Sequence, residues 1–452
     1  MEIRLSQVVA ALSHALDITH GQPAGQAGRT CIIGMRIADA LGLDVADRSA
    51  LFYALLLKDA GCSTNASRVA LLYANDDAAV KRDVAGLDLR RPSAVLRHAW
   101  RSVAPTAGPA ARVRRLARAV VEGPRTKREI YTLRCERGAD IARMIDLDEA
   151  TAQAILHLDE LWDGSGVPAG VAGEAIPLLG RILCLAQTME VFWQRGGRAA
   201  AIDVARERRG TWFDPRLVDG LGELEADEAF WAALPTARPD AVEPGDRVLV
   251  ADGDRLDRIA EGFARVVDAK SPYTGRHSEG VAEIAVALGR LLGVGADDRL
   301  TLRRAGLLHD LGKLAVSNRI LDKQGRLTEH EWDIVRAHPA ISEHILLGVD
   351  AFGDIARIAG NHHERLDGSG YGRGRTATDL EPLSRILAVA DVAEALSAER
   401  PYRPALDART VLDIMRAEAG TKLDAGAFAA LEQHLPQREA ALGTGAVVAH
   451  AT

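Results

Sequence analysis

Apolar residues recur at helical spacing along almost the whole chain, and alternation with a period of two is nearly absent. One stretch places Val281, Ile284, Ala285, Leu288, Leu291 and Leu292 on one face of a helix. Thr328 with Glu331 matches a capping box, which is typical of a helix start, and Asp407 opens a further helical segment that Gly420 closes. The pattern predicts an all-α protein with short connections.

The helical pattern is interrupted most clearly between Leu234 and Asp246, where Pro, Gly and charged residues are concentrated. We therefore expect one domain at 1–240, a linker at 241–254, a second domain at 255–440 and a flexible tail at 441–452. With 452 residues, 47% of them hydrophobic, the chain has enough apolar material for two cores.

Four short motifs occur twice in the same order, which indicates a duplicated helical domain. The pairs are Ala40-Leu41-Gly42-Leu43 with Leu291-Leu292-Gly293-Val294, Lys58-Asp59-Ala60-Gly61 with His309-Asp310-Leu311-Gly312, Asp163-Gly164-Ser165-Gly166 with Asp367-Gly368-Ser369-Gly370, and Gly210-Thr211 with Gly420-Thr421. The offset is 251 residues between Lys58 and His309 but 204 between Asp163 and Asp367, so the first copy carries 47 extra residues. A basic run from Arg101 to Arg128 falls within this insertion. We interpret it as a solvated helical face, with contact to a nucleotide, a nucleic acid or an anionic membrane as the alternatives.

Charge and cysteine content exclude several classes of protein. A net charge of −7 and a pI near 6.0 argue against a protein whose main task is to grip a nucleic-acid backbone. The four cysteines form no CxxC pair, so we expect buried apolar thiols rather than a disulfide framework or a thiolate zinc site. No apolar run approaches the ~18–20 residues of a membrane span, and the start lacks a secretory hydrophobic segment, so the chain is expected to be cytoplasmic.

The second copy carries seven imidazole and carboxylate side chains on separate predicted helices. They are His277, His309, Asp310, His338, His362, His363 and Asp391. Unpaired polar groups are costly to bury, so the presence of several such groups together requires a common explanation. Imidazole with carboxylate suits Fe, Mn, Ni or Zn, and seven groups exceed what one tetrahedral ion requires, so two ions are the natural count.

Two ions in such a site would activate a water molecule and hold phosphate oxygens during an in-line displacement. Asp310, in the adjacent pair His309-Asp310, is the candidate for a shared carboxylate. Lys313 lies three residues further on and would face the same site if the helical turn continues. Its ammonium group would complement the negative charge that develops on a phosphoryl group. We take Asp310 and Lys313 as the catalytic candidates.

The run from Tyr273 to Arg403 resembles an HD-GYP domain, the branch of the HD phosphohydrolase superfamily that hydrolyses cyclic di-GMP. The matching motifs are Tyr273-Thr-Gly-Arg-His277, Leu308-His309-Asp310-Leu-Gly-Lys313, Ala337-His338-Pro339, His362-His363-Glu364, Asp367-Gly-Ser-Gly-Tyr371, Ile386-Leu-Ala-Val-Ala-Asp391 and Arg400-Pro-Tyr-Arg403.

The resemblance implies two ligand sets, a substrate pocket and a cofactor. His277, His309, Asp310 and Asp391 would hold one divalent ion, and Asp310, His338, His362 and His363 would hold the other. Lys313, Tyr371, Arg400 and Arg403 would contact the substrate, a role on phosphates that suits planar guanidinium groups. Iron or manganese would be the first choice of metal, with nickel or zinc as alternatives.

Two positions depart from the family pattern. Some members carry a third metal on a glutamate four residues before the first histidine, where this chain has Tyr273, so two ions are expected. Gly372 replaces the proline of the Gly-Tyr-Pro signature, which should loosen the loop because glycine lacks the fixed φ of proline. This change would affect substrate fit and the docking of diguanylate cyclase domains.

The first copy has lost most of the ligand set. Gln26 stands for His277, Lys58 for His309, Leu158-Asp159 for His362-His363, Gln187 for Asp391, and Cys135 lies near the position of His338. Only Asp59 remains, and Lys58 would repel an incoming metal. We expect this copy to hold no metal and to regulate, dimerise or brace its partner.

These inferences predict a metal-dependent phosphodiesterase that cleaves cyclic di-GMP to linear pGpG, and they leave open whether cleavage continues to GMP. One alternative is an HD phosphohydrolase acting on another cyclic dinucleotide or nucleotide. The other is a signalling adaptor with little hydrolysis. The expected partners are the cyclic dinucleotide, a diguanylate cyclase (GGDEF) or other signalling protein, and a second copy of the chain. No nucleic-acid partner and no membrane span are expected.

Overall fold

The computed structural model describes residues 3–19, 25–73, 75–85, 92–104, 108–399 and 403–448. Within these ranges the regular structure is helical apart from one sheet of two short strands, so the all-α prediction is confirmed. None of the described helices combines the length and the apolar character that a bilayer span requires. The chain divides into two compact units, one of 1–262 with 317–319 and one of 263–316 with 320–452.

The first unit contains strands β1 (Ile3–Arg4) and β2 (Val250–Ala251) and twelve complete α-helices among the described residues. These are α1 (Leu5–Thr19), α2 (Gln26–Leu41), α3 (Val45–Leu57), α4 (Ala66–Tyr73), α5 (Asp77–Ala85), α6 (Pro92–Ser102), α7 (Pro109–Met144), α8 (Glu149–Leu156), α9 (Leu178–Glu207), α10 (Pro215–Asp219), α11 (Gly222–Ala226) and α12 (Glu228–Ala233). Helix α9 is broken at Gly196 and Gly197, where the φ of Gly197 is +68°.

Two helices cross the boundary in sequence, α13 (Gly253–Asp268) and α16 (Asn318–Leu321). The other helices of the second unit are α14 (His277–Leu291), α15 (Ala296–Leu308), α17 (Glu329–Arg336), α18 (His338–Leu346), α19 (Gly353–Gly360), α20 (Pro382–Ser397), α21 (Ala408–Arg416) and α22 (Ala425–Val448). The predicted capping box of Thr328 and Glu331 is confirmed at the start of α17, and Asp407 caps α21.

Packing of α14 against α15 positions part of the candidate site. Helix α14 buries Val281, Ile284 and Leu288, which lie on one face at helical spacing. Gly306 of α15 lies so close to α14 that a Cβ atom there would come within 2.8 Å of the Cα of Ala282. Glycine therefore allows the two helices to cross at short distance, which brings the start of α14 near the end of α15.

The segment 241–254, predicted as a linker, is built into the first unit. It includes a 3-10 helix at Gly245–Arg247 and strand β2, in which Ala251 pairs antiparallel with Ile3 of β1. Its proline and glycine content thus reflects tight turns. At the other end, residues 441–448 of the predicted tail continue α22, and residues 449–452 lie outside the described residues. All four cysteines are buried and unbonded to one another, as expected.

Candidate metal centre

Four histidines of the second unit surround the carboxylate of Asp310. The Nε2 atoms of His277 and His309 lie 3.3 and 3.4 Å from Oδ2 of Asp310. The Nε2 atoms of His338 and His362 lie 3.2 and 3.7 Å from Oδ1 of the same carboxylate. Each oxygen of Asp310 thus faces its own pair of imidazoles, which is the arrangement that a carboxylate bridging two ions requires.

A second carboxylate, Asp391, closes the other side of the cluster. Its Oδ1 lies 3.4 Å from His277 Nε2 and 3.7 Å from His309 Nε2, and its Oδ2 lies 3.6 Å from Nδ1 of His363. Ligand atoms form three groups, within each of which all atoms lie within 4.8 Å of one another. The groups are His277, His309 and Asp391; His338, His362 and His363; and His309, Asp310 and His362, which joins the other two. The structure therefore brings together all seven residues that the sequence analysis selected.

Helix ends deliver most of these side chains. His277 is the first residue of α14, His309 directly follows α15, and His338 begins α18. Asp391 is the exception, since it lies in the middle of α20 on a face that is buried along most of its length. A ring at a helix terminus can point along the helix axis, so several helices can direct imidazoles into one small volume.

Backbone carbonyl groups fix the orientation of three rings. The Nδ1 atoms of His309, His338 and His362 donate to the carbonyl oxygens of Gly306, Val335 and Ala359, at 2.7, 2.7 and 2.5 Å. Because a carbonyl oxygen only accepts, the proton must be on Nδ1 in each ring. The lone pair of Nε2 is then directed to the carboxylates, as a metal ligand requires.

The protonation states also suit a cation. Burial lowers the pKa of His309 and His362, which keeps these rings neutral. Burial alone would raise the pKa of Asp310, but the facing His309 and Lys313 hold it well below its ordinary value. Among the described residues, His309 Nε2 and Asp310 Oδ1 are buried without a hydrogen-bond partner, which is costly unless a ligand satisfies them. The donor set fits divalent metal ions; the individual ligand roles stay predictions.

The predicted substrate residues have different surroundings. The ammonium group of Lys313, in the 3-10 helix Leu311–Ala315, pairs with Oδ2 of Asp310. The ring of Tyr371 lies against that of His363, with centroids 4.4 Å apart. Arg403 donates to the carbonyl oxygens of Pro404 and Ala395, both at 2.9 Å, so its guanidinium group is engaged with the backbone. Arg400 lies outside the described residues.

Sequence reasoning missed Glu394. Its buried carboxylate accepts a hydrogen bond from Nδ1 of His277, the one ring of the inner four that does not use a carbonyl group for this purpose. Glu394 lies three residues after Asp391 on α20, so both carboxylates lie on the same side of the helix. This spacing was the available signal for an orienting partner.

Glu364 explains how the signature loop keeps its shape without proline. Its carboxylate accepts from the backbone N–H groups of Arg373 and Arg375, at 2.6 and 3.0 Å. Gly372, directly before Arg373, has a φ of +132°, which proline cannot adopt. Glu160 binds the corresponding loop of the first unit in the same way. The loop is therefore fixed by a buried carboxylate, and the glycine supplies a conformation rather than only a loss of stiffness.

The first unit contains a similar arrangement, with protein cations in place of imidazoles. The ammonium group of Lys58 pairs with Oδ2 of Asp59 and donates to Oε1 of Gln26 at 3.2 Å. Nη2 of Arg134 lies 3.8 Å from Oδ1 of Asp59, and its Nη1 lies 3.5 Å from Oδ2 of Asp159. Burial alone would lower the pKa of Arg134, but the facing carboxylates raise it well above its ordinary value.

The position matching His338 is Arg134 rather than Cys135. A Cβ atom on Gly61 would clash with the carbonyl group of Arg134, as one on Gly312 would clash with that of His338. The offset of 204 residues between Arg134 and His338 is the same as between Asp163 and Asp367. Applying that offset strictly would have identified Arg134 from the sequence.

Comparisons with known proteins agree with this architecture. A family model described as HD domain matches residues 124–217 and 262–426, more than half of the chain and parts of both copies. The 3′3′-cGAMP-specific phosphodiesterase 3 of Vibrio cholerae is 42% identical over 437 residues, which is 95% of this chain and 94% of that protein. The cyclic di-GMP phosphodiesterase response regulator RpfG of Xanthomonas campestris is 34% identical over 183 residues, 40% of this chain and 48% of that protein.

A solved structure extends the match to three dimensions. The crystal structure of a cyclic GMP-AMP specific phosphodiesterase of Vibrio cholerae, V-cGAP3, superposes with a TM-score of 0.64 at 38% identity and covers 95% of this chain and 97% of that one. The family model, the relative matched along both units and the HD-GYP motifs around Asp310 lead to one assignment. The chain belongs to the HD domain family and is an HD-GYP domain protein with a second, altered copy of the fold.

Proposed function

We propose that this protein is a metal-dependent phosphodiesterase of 3′,3′-linked cyclic dinucleotides and that 3′,3′-cyclic GMP-AMP is its substrate. The observation that carries the choice of substrate is the match to the 3′3′-cGAMP-specific enzyme, which covers both units at 42% identity. Cyclic di-GMP, expected from the motifs, is the second candidate because RpfG and the Pseudomonas aeruginosa phosphodiesterase PA4108 are also similar. Those matches span only 40% and 29% of the chain.

Six residues of the second unit would hold two metal ions on either side of the carboxylate of Asp310. His277, His309 and Asp391 would hold one ion beside Oδ2 of Asp310. His338, His362 and His363 would hold the other ion beside Oδ1. When bound, divalent ions would supply Lewis acidity toward the phosphate and lower the pKa of a water molecule.

The remaining groups bind the phosphate, shield the site from water or hold the ligand rings in position. The side chain of Lys313 is 20% exposed, against 1% for Asp310, so its ammonium group can reach a phosphate oxygen while it balances the charge of the carboxylate. The ring of Tyr371 covers His363 and can limit the access of bulk water to that side of the site. The Nδ1 hydrogen bonds of His309, His338 and His362 keep the ring nitrogens in position during turnover, so less reorganisation is needed.

The test uses the purified full chain loaded with manganese or ferrous iron and a panel of cyclic GMP-AMP, cyclic di-GMP and cyclic di-AMP. Products are separated by chromatography, and bound metal is counted in the same samples. We expect hydrolysis with the highest kcat/KM for cyclic GMP-AMP. A protein that binds two ions and leaves all three cyclic dinucleotides intact would refute the enzymatic proposal. A higher kcat/KM for cyclic di-GMP would refute the choice of substrate.

His309→Ala tests the ligand set, with His330→Ala on α17 as its matched control, since His330 is an exposed histidine outside the cluster. We expect His309→Ala to lose at least one ion together with turnover, and His330→Ala to keep both. Retention of two ions by His309→Ala would contradict the assigned ligands.

A further inference from the structure

Helices α5, α6 and α9 of the first unit line a cavity with a strongly basic wall. The cavity has a volume of about 560 Å³ and is lined by Arg82 of α5, Arg97 and Arg101 of α6, and Arg195 of α9. Helices α5 and α6 fall between Gly61 and Arg134, an interval that is 47 residues longer than the matching interval between Gly312 and His338 of the second copy. The named lining residues all belong to the first unit and lie outside the candidate metal centre.

The residues that the structure describes compensate little of the charge of the wall. Among the described lining residues Asp83 is the one carboxylate, so the four arginines exceed it by three positive charges if His98 is neutral. None of the four guanidinium groups forms a salt bridge with a carboxylate of any residue that the structure describes. The chain as a whole carries a net charge of −7, so this concentration of positive charge is local.

The spacing of the arginines on α6 is a second observation that favours a bound anion in this cavity. Arg97 and Arg101 are four residues apart, so they project from the same side of the helix, and like charges at this spacing destabilise an isolated helix by ~0.2–0.5 kcal/mol. Arg101, and likewise Arg82 on α5, lies in a last helical turn, where the helix dipole favours a cation. Arg195 directly precedes the break in α9 and so also lies at the end of a helical segment, whereas Arg97 has no such compensation, and a bound anion would provide it.

The polar remainder of the wall offers hydrogen bonds as well as charge. His98 and Ser102, both part of the lining, form a hydrogen bond between Nδ1 and Oγ at 3.2 Å. Arg195 donates to the carbonyl oxygen of Arg82 at 3.3 Å, which holds one guanidinium group at the cavity beside the break in α9 at Gly196. Guanidinium groups bind phosphate oxygens through paired N–H groups. A volume of about 560 Å³ lies within the ~300–1,000 Å³ of small-molecule sites.

We propose that this cavity is a second ligand site, which binds a nucleotide-sized anion carrying at least two phosphate charges. The ligand chemistry is shared by a cyclic dinucleotide, its linear product and a nucleoside polyphosphate. Such a site would place a nucleotide on the copy that has lost its metal ligands. The proposal does not depend on the substrate assigned to the metal centre, because binding can be measured without turnover.

The test compares two charge-reversed variants of the full chain by calorimetric titration with pyrophosphate, GTP, cyclic GMP-AMP and linear pGpG. Arg97→Glu/Arg101→Glu removes part of the wall, and Arg114→Glu/Arg115→Glu changes the charge equally at exposed positions of α7 outside the cavity. Arg97→Gln/Arg101→Gln repeats the test with less perturbation of folding. Because all proteins retain the same metal centre, a difference between them reports only the cavity.

We expect wild type to bind at least one probe at a site that both Arg97/Arg101 variants weaken by tenfold or more, while Arg114→Glu/Arg115→Glu stays within twofold of wild type. The probe that loses most affinity identifies the source of the phosphate groups. Equal weakening by the cavity and control variants would indicate a diffuse basic surface and overturn the site. The proposal would also be overturned if the Arg97/Arg101 variants bound every probe as wild type does, or if wild type bound none of the probes.

Discussion

Lys58→Met tests whether protein cations replace metal ions in the first unit. The Lys58 ammonium is 2% exposed and pairs with Asp59, which is 1% exposed, so methionine would leave a buried carboxylate without its nearest cation. Breaking a buried ion pair by removing one partner typically costs ~3–5 kcal/mol. Arg134 still faces Asp59 at 3.8 Å, which partly compensates the charge, so we expect a loss of about 3 kcal/mol, at the lower end of that range.

Denaturation in urea followed by tryptophan fluorescence reports this unit selectively. Five of the six tryptophans lie in the first unit, namely Trp100, Trp162, Trp193, Trp212 and Trp231. Arg206→Met is the control, since the Arg206–Glu225 pair is 60% and 37% exposed and such surface pairs contribute only ~0.2–1 kcal/mol.

The double variant Lys58→Met/Asp59→Asn separates charge from packing. It removes both charges of the pair at nearly constant volume, so it should be more stable than Lys58→Met alone. The reasoning fails if Lys58→Met costs no more than Arg206→Met, or if the double variant is less stable than the single one. In the second unit, the metal content of Lys58→Met should equal that of wild type.

Three further predictions concern the second unit. Glu394→Gln weakens the hydrogen-bond acceptor that orients His277, so metal affinity should fall ~10–100-fold in a competition titration. The control Glu283→Gln, at an exposed position, should leave the affinity unchanged. Equal affinities of the two variants would show that Glu394 does not orient a metal ligand. Gly372→Pro restores the family signature but cannot adopt a φ of +132°, so strain of ~1–3 kcal/mol should lower the melting temperature and kcat/KM, and an increase in both would contradict this. Burial lowers the pKa of His277, but Asp310, Asp391 and Glu394 raise it well above its ordinary value, so a metal ion must displace its proton and apparent affinity should increase with pH. Titration at about pH 6 and about pH 8 with a proton-release readout checks this sign, and affinity that is independent of pH would refute it.

The sequence predicted the fold and the residues that cluster around Asp310, because both follow local patterns. Helical periodicity and capping residues such as Thr328 act within a few positions, and the spacing of His309-Asp310 and His362-His363 repeats a known motif. Contacts between residues that are distant in the sequence could not be predicted. That His277 would turn its Nδ1 to Glu394 depends on the packing of α14 against α20, which no local pattern encodes.

In the first copy, the side chains that replace the metal ligands were harder to predict than the loss of the ligands themselves. A missing ligand is visible at one position, so Lys58 and Gln187 indicated at once that the first copy had changed. Compensation involves two positions that are distant in sequence, because Arg134 matters only once it lies between Asp59 and Asp159. An aspartate that keeps both its oxygens facing cations also keeps the helices around it in place. Because Lys58 and Arg134 face Asp59 in the first unit, we expect this unit to fold without a metal ion.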